Sequence, residues 1–244
     1  MRIQPLPFLL LLTLFLLPAS ALAQGTKDTA ADPYTLTTCP ISGKKLGSMG
    51  DPVVKSYDGR EVRFCCGGCV GTFEKDKASQ FKKINDKLIA DQKAHYPIPV
   101  CVVSKESLME NGEDAGIDVV VGNRLVRLCC EGCTKKLLKN PKKYLARLDK
   151  AIVKVHRSKY PLDTCVVGGG KLGSMGKPVE TVIGNRLVRL CCKGCLPKLK
   201  ANPHKYLPKL DAAWKHKAGA KSPHKGHEGQ GHNKGGHDHS KHKH

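Results

Sequence analysis

Aromatic side chains are scarce in this chain of 244 residues: Phe, Tyr and Trp together make up 5%, with a single Trp. So few rings leave few platforms for unpaired bases, which argues against single-stranded nucleic acid as a partner. Acidic residues are also few, 21 against 42 Lys and Arg. No Ser/His/Asp set and no phosphate-cradling loop can be read from the sequence. Gly168, Gly169 and Gly170 form a glycine run without the rest of a nucleotide motif. The C-x-x-C spacings lack the βαβ frame of a thioredoxin-like redox protein. The sequence is therefore read as non-enzymatic. Past its first segment it has no apolar run approaching the ~20 residues of a membrane span.

That first segment, MRIQPLPFLLLLTLFLLPASALAQ, places Arg2 before an apolar run at 8–17 and a small-x-small site at Ala21, Leu22 and Ala23. This is the layout of a secretory signal peptide over 1–23, too short to span a bilayer comfortably. No cysteine stands at the cleavage point to take a lipid. The expectation is an exported protein, periplasmic or secreted after cleavage near Ala23, without stable membrane insertion. The formal charge is +21, to which the leader contributes only Arg2. Such an excess suits a polyanionic partner. Export argues against nucleic acid, leaving anionic envelope polymers as candidates.

Cysteine, in contrast, is abundant, and its twelve copies are periodic. Tyr34, Tyr96 and Tyr160 each lie five residues before a lone cysteine: Cys39, Cys101 and Cys165. Each lone cysteine is followed by a CC-x-x-C cluster: Cys65, Cys66 and Cys69; Cys129, Cys130 and Cys133; Cys191, Cys192 and Cys195. "KLGSMG" recurs at 45–50 and 171–176, and "GNRLVRLCC" at 122–130 and 184–192. Internal repetition of this kind implies tandem units. The expected division is a linker at 24–33, modules at 34–95, 96–159 and 160–214, and a disordered Lys/Gly/His-rich tail at 215–244, too poor in apolar residues to bury a core.

Within a module, two β-prone runs flank Asp58-Gly59 or Gly184-Asn185, which predicts hairpins with tight turns. Val62 and Phe64, Val126 and Leu128, and Val188 and Leu190 share one parity, while Arg63, Arg127 and Arg189 hold the other, which predicts one wet face. On that parity Cys66, Cys130 and Cys192 face inward. A short helix is expected after each cluster, then a longer one. Asn140-Pro141 and Asn202-Pro203 supply starts for the longer helix, and Pro208 is expected to kink or shorten the third. Phe81, Ile84 and Leu88, and Tyr144, Leu145, Leu148, Ile152 and Val155, carry helical spacing. The predicted class is α+β, three tandem ββαα units.

A unit of this size buries only about 60% of its unfolded surface and needs a staple or a neighbour. One staple is a metal: thiolates are soft ligands for Zn(II) or Cu(I), and a helix N-terminus favours the thiolate. The other is a disulfide framework, suited to an oxidising compartment and an even cysteine count. Bonding adjacent cysteines would be strained, since their Cα atoms lie about 3.8 Å apart and ordinary disulfides want about 4.4–6.8 Å. Metal ligation, one ion per module, is therefore the favoured expectation. Disulfide-stapled units binding envelope polymers without metal are the alternative. Met49, Met109 and Met175 recur after the lone cysteine, and His224, His227, His232, His237, His239, His242 and His244 punctuate the tail; both sets are weaker candidate ligands.

With a lone cysteine, then C-x-x-x-C at Cys65/Cys69, Cys129/Cys133 and Cys191/Cys195, then an "NPKKYL"-type segment, each module resembles the TRASH and YHS heavy-metal-binding domains. The resemblance implies a treble-clef-like fold and a role in trafficking, resistance or sensing of metals such as copper; the expected function is trafficking, buffering or resistance, with a metal-delivery or efflux protein as partner. The chain departs from it in two ways. The lone cysteine and the cluster are separated by 25 or 27 intervening residues, more than in TRASH domains, and Ser42, Ser104 and Gly168 stand where a treble-clef knuckle carries another cysteine.

Overall fold

The computed structural model describes residues 32–219. The expected signal peptide at 1–23, most of the linker and the tail histidines from His224 to His244 lie outside the described residues. Among the described residues, no helix is long and apolar enough to cross a membrane.

The architecture is mixed α+β and repeats three times. The first repeat pairs β1 (Val53–Tyr57) with β2 (Arg60–Phe64), followed by α1 (Gly68–Lys75) and α2 (Lys77–Lys93). The second adds a small hairpin, β3 (Met109–Glu110) with β4 (Glu113–Asp114), before β5 (Ile117–Val121), β6 (Arg124–Leu128), α3 (Glu131–Lys139) and α4 (Pro141–His156). The third is β7 (Val179–Ile183), β8 (Arg186–Leu190), α5 (Cys195–Ala201) and α6 (Pro203–Gly219).

The main hairpins turn where the sequence indicates. Asp58 and Gly59, and Gly184 and Asn185, all have positive φ, the requirement of a type I′ turn. The β3–β4 hairpin was not anticipated, although Asn111-Gly112 is the same signal; both residues have positive φ. Asn140 starts α4 by accepting from the Lys143 N–H at 3.3 Å, with Pro141 in the first turn. In the first repeat, which lacks Asn-Pro, Asp76 takes this role through the Ser79 N–H at 3.1 Å.

Three expectations are corrected. The arginine face of the hairpins is not wet: Arg63 and Arg127 are buried and Arg189 is half-buried. For Arg63 the cause is packing between repeats, since it reaches the end of α5, whereas Arg127 is enclosed by Asp114, Asp118 and Tyr96 of its own repeat. Helix α2 lies against β5 and β6 of the next hairpin, and α4 lies against β7 and β8. The buried Gln92 amide fastens the end of α2, donating to the Asn123 carbonyl at 2.7 Å and accepting from the Leu125 N–H at 2.9 Å. Second, Pro208 does not shorten the last helix, because α6 continues through it to Gly219. Third, the inward cysteine of each doublet is the first: Cys65 and Cys191 are buried, whereas Cys66 and Cys192 are half-buried and Cys130 is exposed. Strand parity ends at Phe64, Leu128 and Leu190, and the bend before the helix reverses which sulfur points in. On α4, Leu148 and Ile152 are buried, while Val155 is exposed.

The repeats therefore stabilise one another. One core holds the first repeat around Tyr34, Phe64, Phe73, Ile84 and Leu88, with Val120 of the second hairpin packed on it. The second and third repeats share another core, from Leu128 and Leu148 to Leu190 and Leu210. The third also returns to the first. Arg63 donates to the carbonyls of Ala201 and Lys200, satisfying orphan acceptors at the C-terminus of α5. Arg186 is held between Asp91 at 2.8 Å and Asp211 at 2.7 Å.

Candidate metal centres

Each lone cysteine sits in a tight turn closed at both ends. The Cys39 N–H donates to the Lys44 carbonyl at 2.8 Å, and its own carbonyl accepts from the Gly43 N–H at 3.0 Å. Cys101 makes the same pair with Glu106 and Lys105, and Cys165 with Gly170 and Gly169. The hairpin then delivers one cysteine at its end, and a helix delivers another in its first turn: Cys69 on α1, Cys133 on α3 and Cys195 on α5.

These elements converge on three sulfur triads: Cys39, Cys65 and Cys69; Cys101, Cys129 and Cys133; Cys165, Cys191 and Cys195. Within each triad, all Sγ atoms lie within 4.8 Å of one another. Sγ–Sγ separations are 3.8 Å for Cys65–Cys69, 3.8 Å for Cys129–Cys133 and 3.7 Å for Cys191–Cys195. A Zn–S bond of about 2.3 Å puts the sulfurs of a tetrahedral site about 3.8 Å apart, so the spacing suits a shared cation. It is nearly twice the S–S bond of about 2.05 Å.

The second cysteine of each doublet stands beside the triad rather than in it. Cys66 Sγ is 3.9 Å from both Cys65 and Cys69; Cys130 is 3.8 Å from Cys129, and Cys192 is 3.8 Å from Cys195. None belongs to the mutually close groups. The residue three after the lone cysteine also faces the sulfurs. Ser42 Oγ lies 3.2 Å from Cys65 Sγ, and Ser104 Oγ lies 3.2 Å from Cys129 Sγ. In the third centre this residue is Gly168, whose N–H donates to Cys165 Sγ at 3.3 Å. Among the described residues, the second centre alone has a carboxylate at its sulfurs, Glu106 at 3.1 Å from Cys129 Sγ, a neighbour that sequence reading missed. Met49, Met109 and Met175 are all exposed, and Met49 Sδ faces Lys44 Nζ at 3.8 Å.

Local dipoles divide the thiols into two kinds. Burial opposes ionisation of Cys39, but the Ser42 N–H and hydroxyl and the Cys65 N–H outweigh it and hold the thiol down to about 7. Cys101 is likewise brought to about 7 against burial, by Ser104 and the Cys129 N–H. Cys165 is lowered against burial by the N–H groups of Gly168, Cys191 and Val167. Burial, with donation to the neighbouring sulfurs, pushes Cys69 and Cys195 up to about 12. The first and third clusters thus combine one thiol whose pKa is lowered with one whose pKa is raised.

No protein-family model matches the chain, and neither a curated protein nor a solved structure matches it. The chemistry of the centres therefore rests on their own geometry: three groups of three cysteines, each able to hold a metal ion.

Proposed function

We propose that this is an exported, non-enzymatic protein that binds a soft ion, Zn(II) or Cu(I), one per module, for metal trafficking, buffering or resistance. The observation that carries this reading is the threefold recurrence of a sulfur triad whose members come from a turn, a hairpin end and a helix start. Three sulfurs are the usual complement of a trigonal cuprous site, and a fourth donor completes a tetrahedral zinc site. The bound ion would join elements that are separate in sequence. Structural zinc contributes about 10–16 kcal/mol in small domains at neutral pH.

The similarity of each module to TRASH and YHS domains supports the same role, with a treble-clef-like frame, export through the 1–23 leader and a delivery or efflux protein as partner. The rival is a disulfide-stapled basic protein that binds anionic envelope polymers. Native mass spectrometry of the mature protein, with elemental analysis and thiol titration of the same sample, separates the two. Three ions per chain, with thiols that react only after chelation, are expected. Absence of both metal and titratable thiols would falsify the metal reading.

A further inference from the structure

The three centres differ at one corner. In the first two, a serine hydroxyl stands 3.2 Å from a triad sulfur, Ser42 at Cys65 and Ser104 at Cys129. In the third, the same position is Gly168. A β-carbon there would stand 3.2 Å from Cys195 Sγ and 3.5 Å from Cys191 Sγ, so a side chain at this residue would point directly at the triad. Gly168 is not among the residues with positive φ, so its backbone does not require glycine. What glycine leaves is a position beside Cys191 and Cys195 free of any side chain, next to sulfurs that are themselves buried. A cavity of about 480 Å³ adjoins this turn, and its walls include Thr164, Cys165, Gly168 and Lys209. Lys209 places a positive charge where an anionic donor would approach.

We propose that the third centre accepts an external thiolate as a donor to its ion at the position Gly168 leaves free of a side chain, and so exchanges its ion, while Ser42 and Ser104 close the corresponding position in the other two. The inference rests on the metal reading above. Its chemistry is ligand substitution: the entering thiolate bonds to the ion, a cysteine sulfur can then leave, and no oxidant or reductant is involved. A thiolate fits because it matches the softness of the three donors already present. Cys192, 3.8 Å from Cys195 Sγ, is the internal competitor.

The test uses the mature chain loaded with Cd(II), with the cadmium resonances followed by NMR as 2-mercaptoethanol is added. One of three resonances is expected to move toward the all-sulfur range. Gly168→Ser should abolish the movement, Ser42→Gly should produce a second moving resonance, and Cys192→Ser should leave the response intact. A folded protein with one exposed cysteine is the second probe: if both thiols act, a partner's cysteine can be the donor, and if only the small one acts, the donor is a small thiol. Three bound ions with no response, with equal responses, or with a response surviving in Gly168→Ser overturn this inference alone. Failure to bind Cd(II) in any centre overturns the metal reading and this inference with it.

Discussion

Arg124 Nε donates to Asn185 Oδ1 at 2.9 Å, joining two buried side chains 61 residues apart. Asn185 returns the link by donating to the Leu125 carbonyl at 2.9 Å. The same device appears one repeat earlier, where Arg60 Nε donates to Asn123 Oδ1 at 3.1 Å and Asn123 donates to the Glu61 carbonyl at 2.8 Å. Each turn asparagine thus plugs into the turn end of the preceding hairpin, and the repeats are coupled through buried polar contacts.

Asn185 supplies the first prediction. Asn185→Gly keeps the positive φ of the turn but leaves a buried guanidinium and a carbonyl without their partner. Each unsatisfied group costs about 1–3 kcal/mol, and Arg124 keeps Asp32 and Asp149 as partners, so a loss in the lower part of the summed range, about 2–4 kcal/mol, is expected. For a domain of this size this lowers Tm by about 5–15 °C, measurable by calorimetry of the metal-loaded protein. A change below about 1 °C would mean that the link does not couple the repeats.

A second prediction separates the doublet cysteines from the triads. Cys133→Ser removes a member of the second sulfur group and should reduce the bound ions from three to two. Cys130→Ser alters a sulfur outside the group and should leave three. Native mass spectra of the two variants at equal loading decide the matter. Equal loss from both would place Cys130 inside the coordination sphere.

Local features of this fold were legible because their causes are local. Gly184-Asn185 can scarcely avoid a I′ turn between β-prone runs, and a triad assembled from a turn, a strand end and a helix start follows from cysteine spacing. What escaped sequence reading depends on neighbours. Alternation placed Arg63 and Arg127 in solvent, but Arg63 is covered by the third repeat and Arg127 is enclosed by Asp114, Asp118 and Tyr96 of its own. The doublet was assigned the wrong inward sulfur because the strand ends one residue before it, and the bend reverses the parity. Asn185 looked like a turn former alone, since nothing nearby in sequence shows that a guanidinium about sixty residues away seeks its oxygen. Pro208 was expected to kink or shorten α6, yet the helix runs on to Gly219, with the buried Leu207 and Leu210 beside the proline packed into the shared core.

The central arginine gives a third prediction. Arg186 is almost completely buried and bonds Asp91 and Asp211 from two different helices. Removing one member of a buried ionic group leaves uncompensated charge and costs about 3–5 kcal/mol. Arg186→Met should lower urea stability by this amount without changing the number of ions bound. Replacing all three charged groups together, with Asp91→Asn and Asp211→Asn added, should recover much of the loss. No recovery in the triple variant would locate the cost in packing rather than charge.

Acid sensitivity should trace in part to His204. This imidazole is buried on α6 against Gly47 of the first repeat, and neither ring nitrogen has a hydrogen-bond partner. Burial first, then Arg63 and Lys205, push its pKa below the ordinary value, with Asp51 opposing them. The unfolded chain therefore takes up this proton first, near pH 6.5, while the folded chain resists it. Stability is complete above that pH and falls as pH descends toward the lower pKa of the folded state. His95 and His156 are lowered by burial as well and act in the same direction. His204→Met removes one of these contributions together with two unpartnered nitrogens. Urea unfolding at pH 7.5 and pH 5.5 should show a smaller loss on acidification in the variant than in the parent protein. Any loss of metal at low pH would weaken both proteins alike, so the difference between them isolates the imidazole, and parallel losses would exclude His204 as a source of the sensitivity.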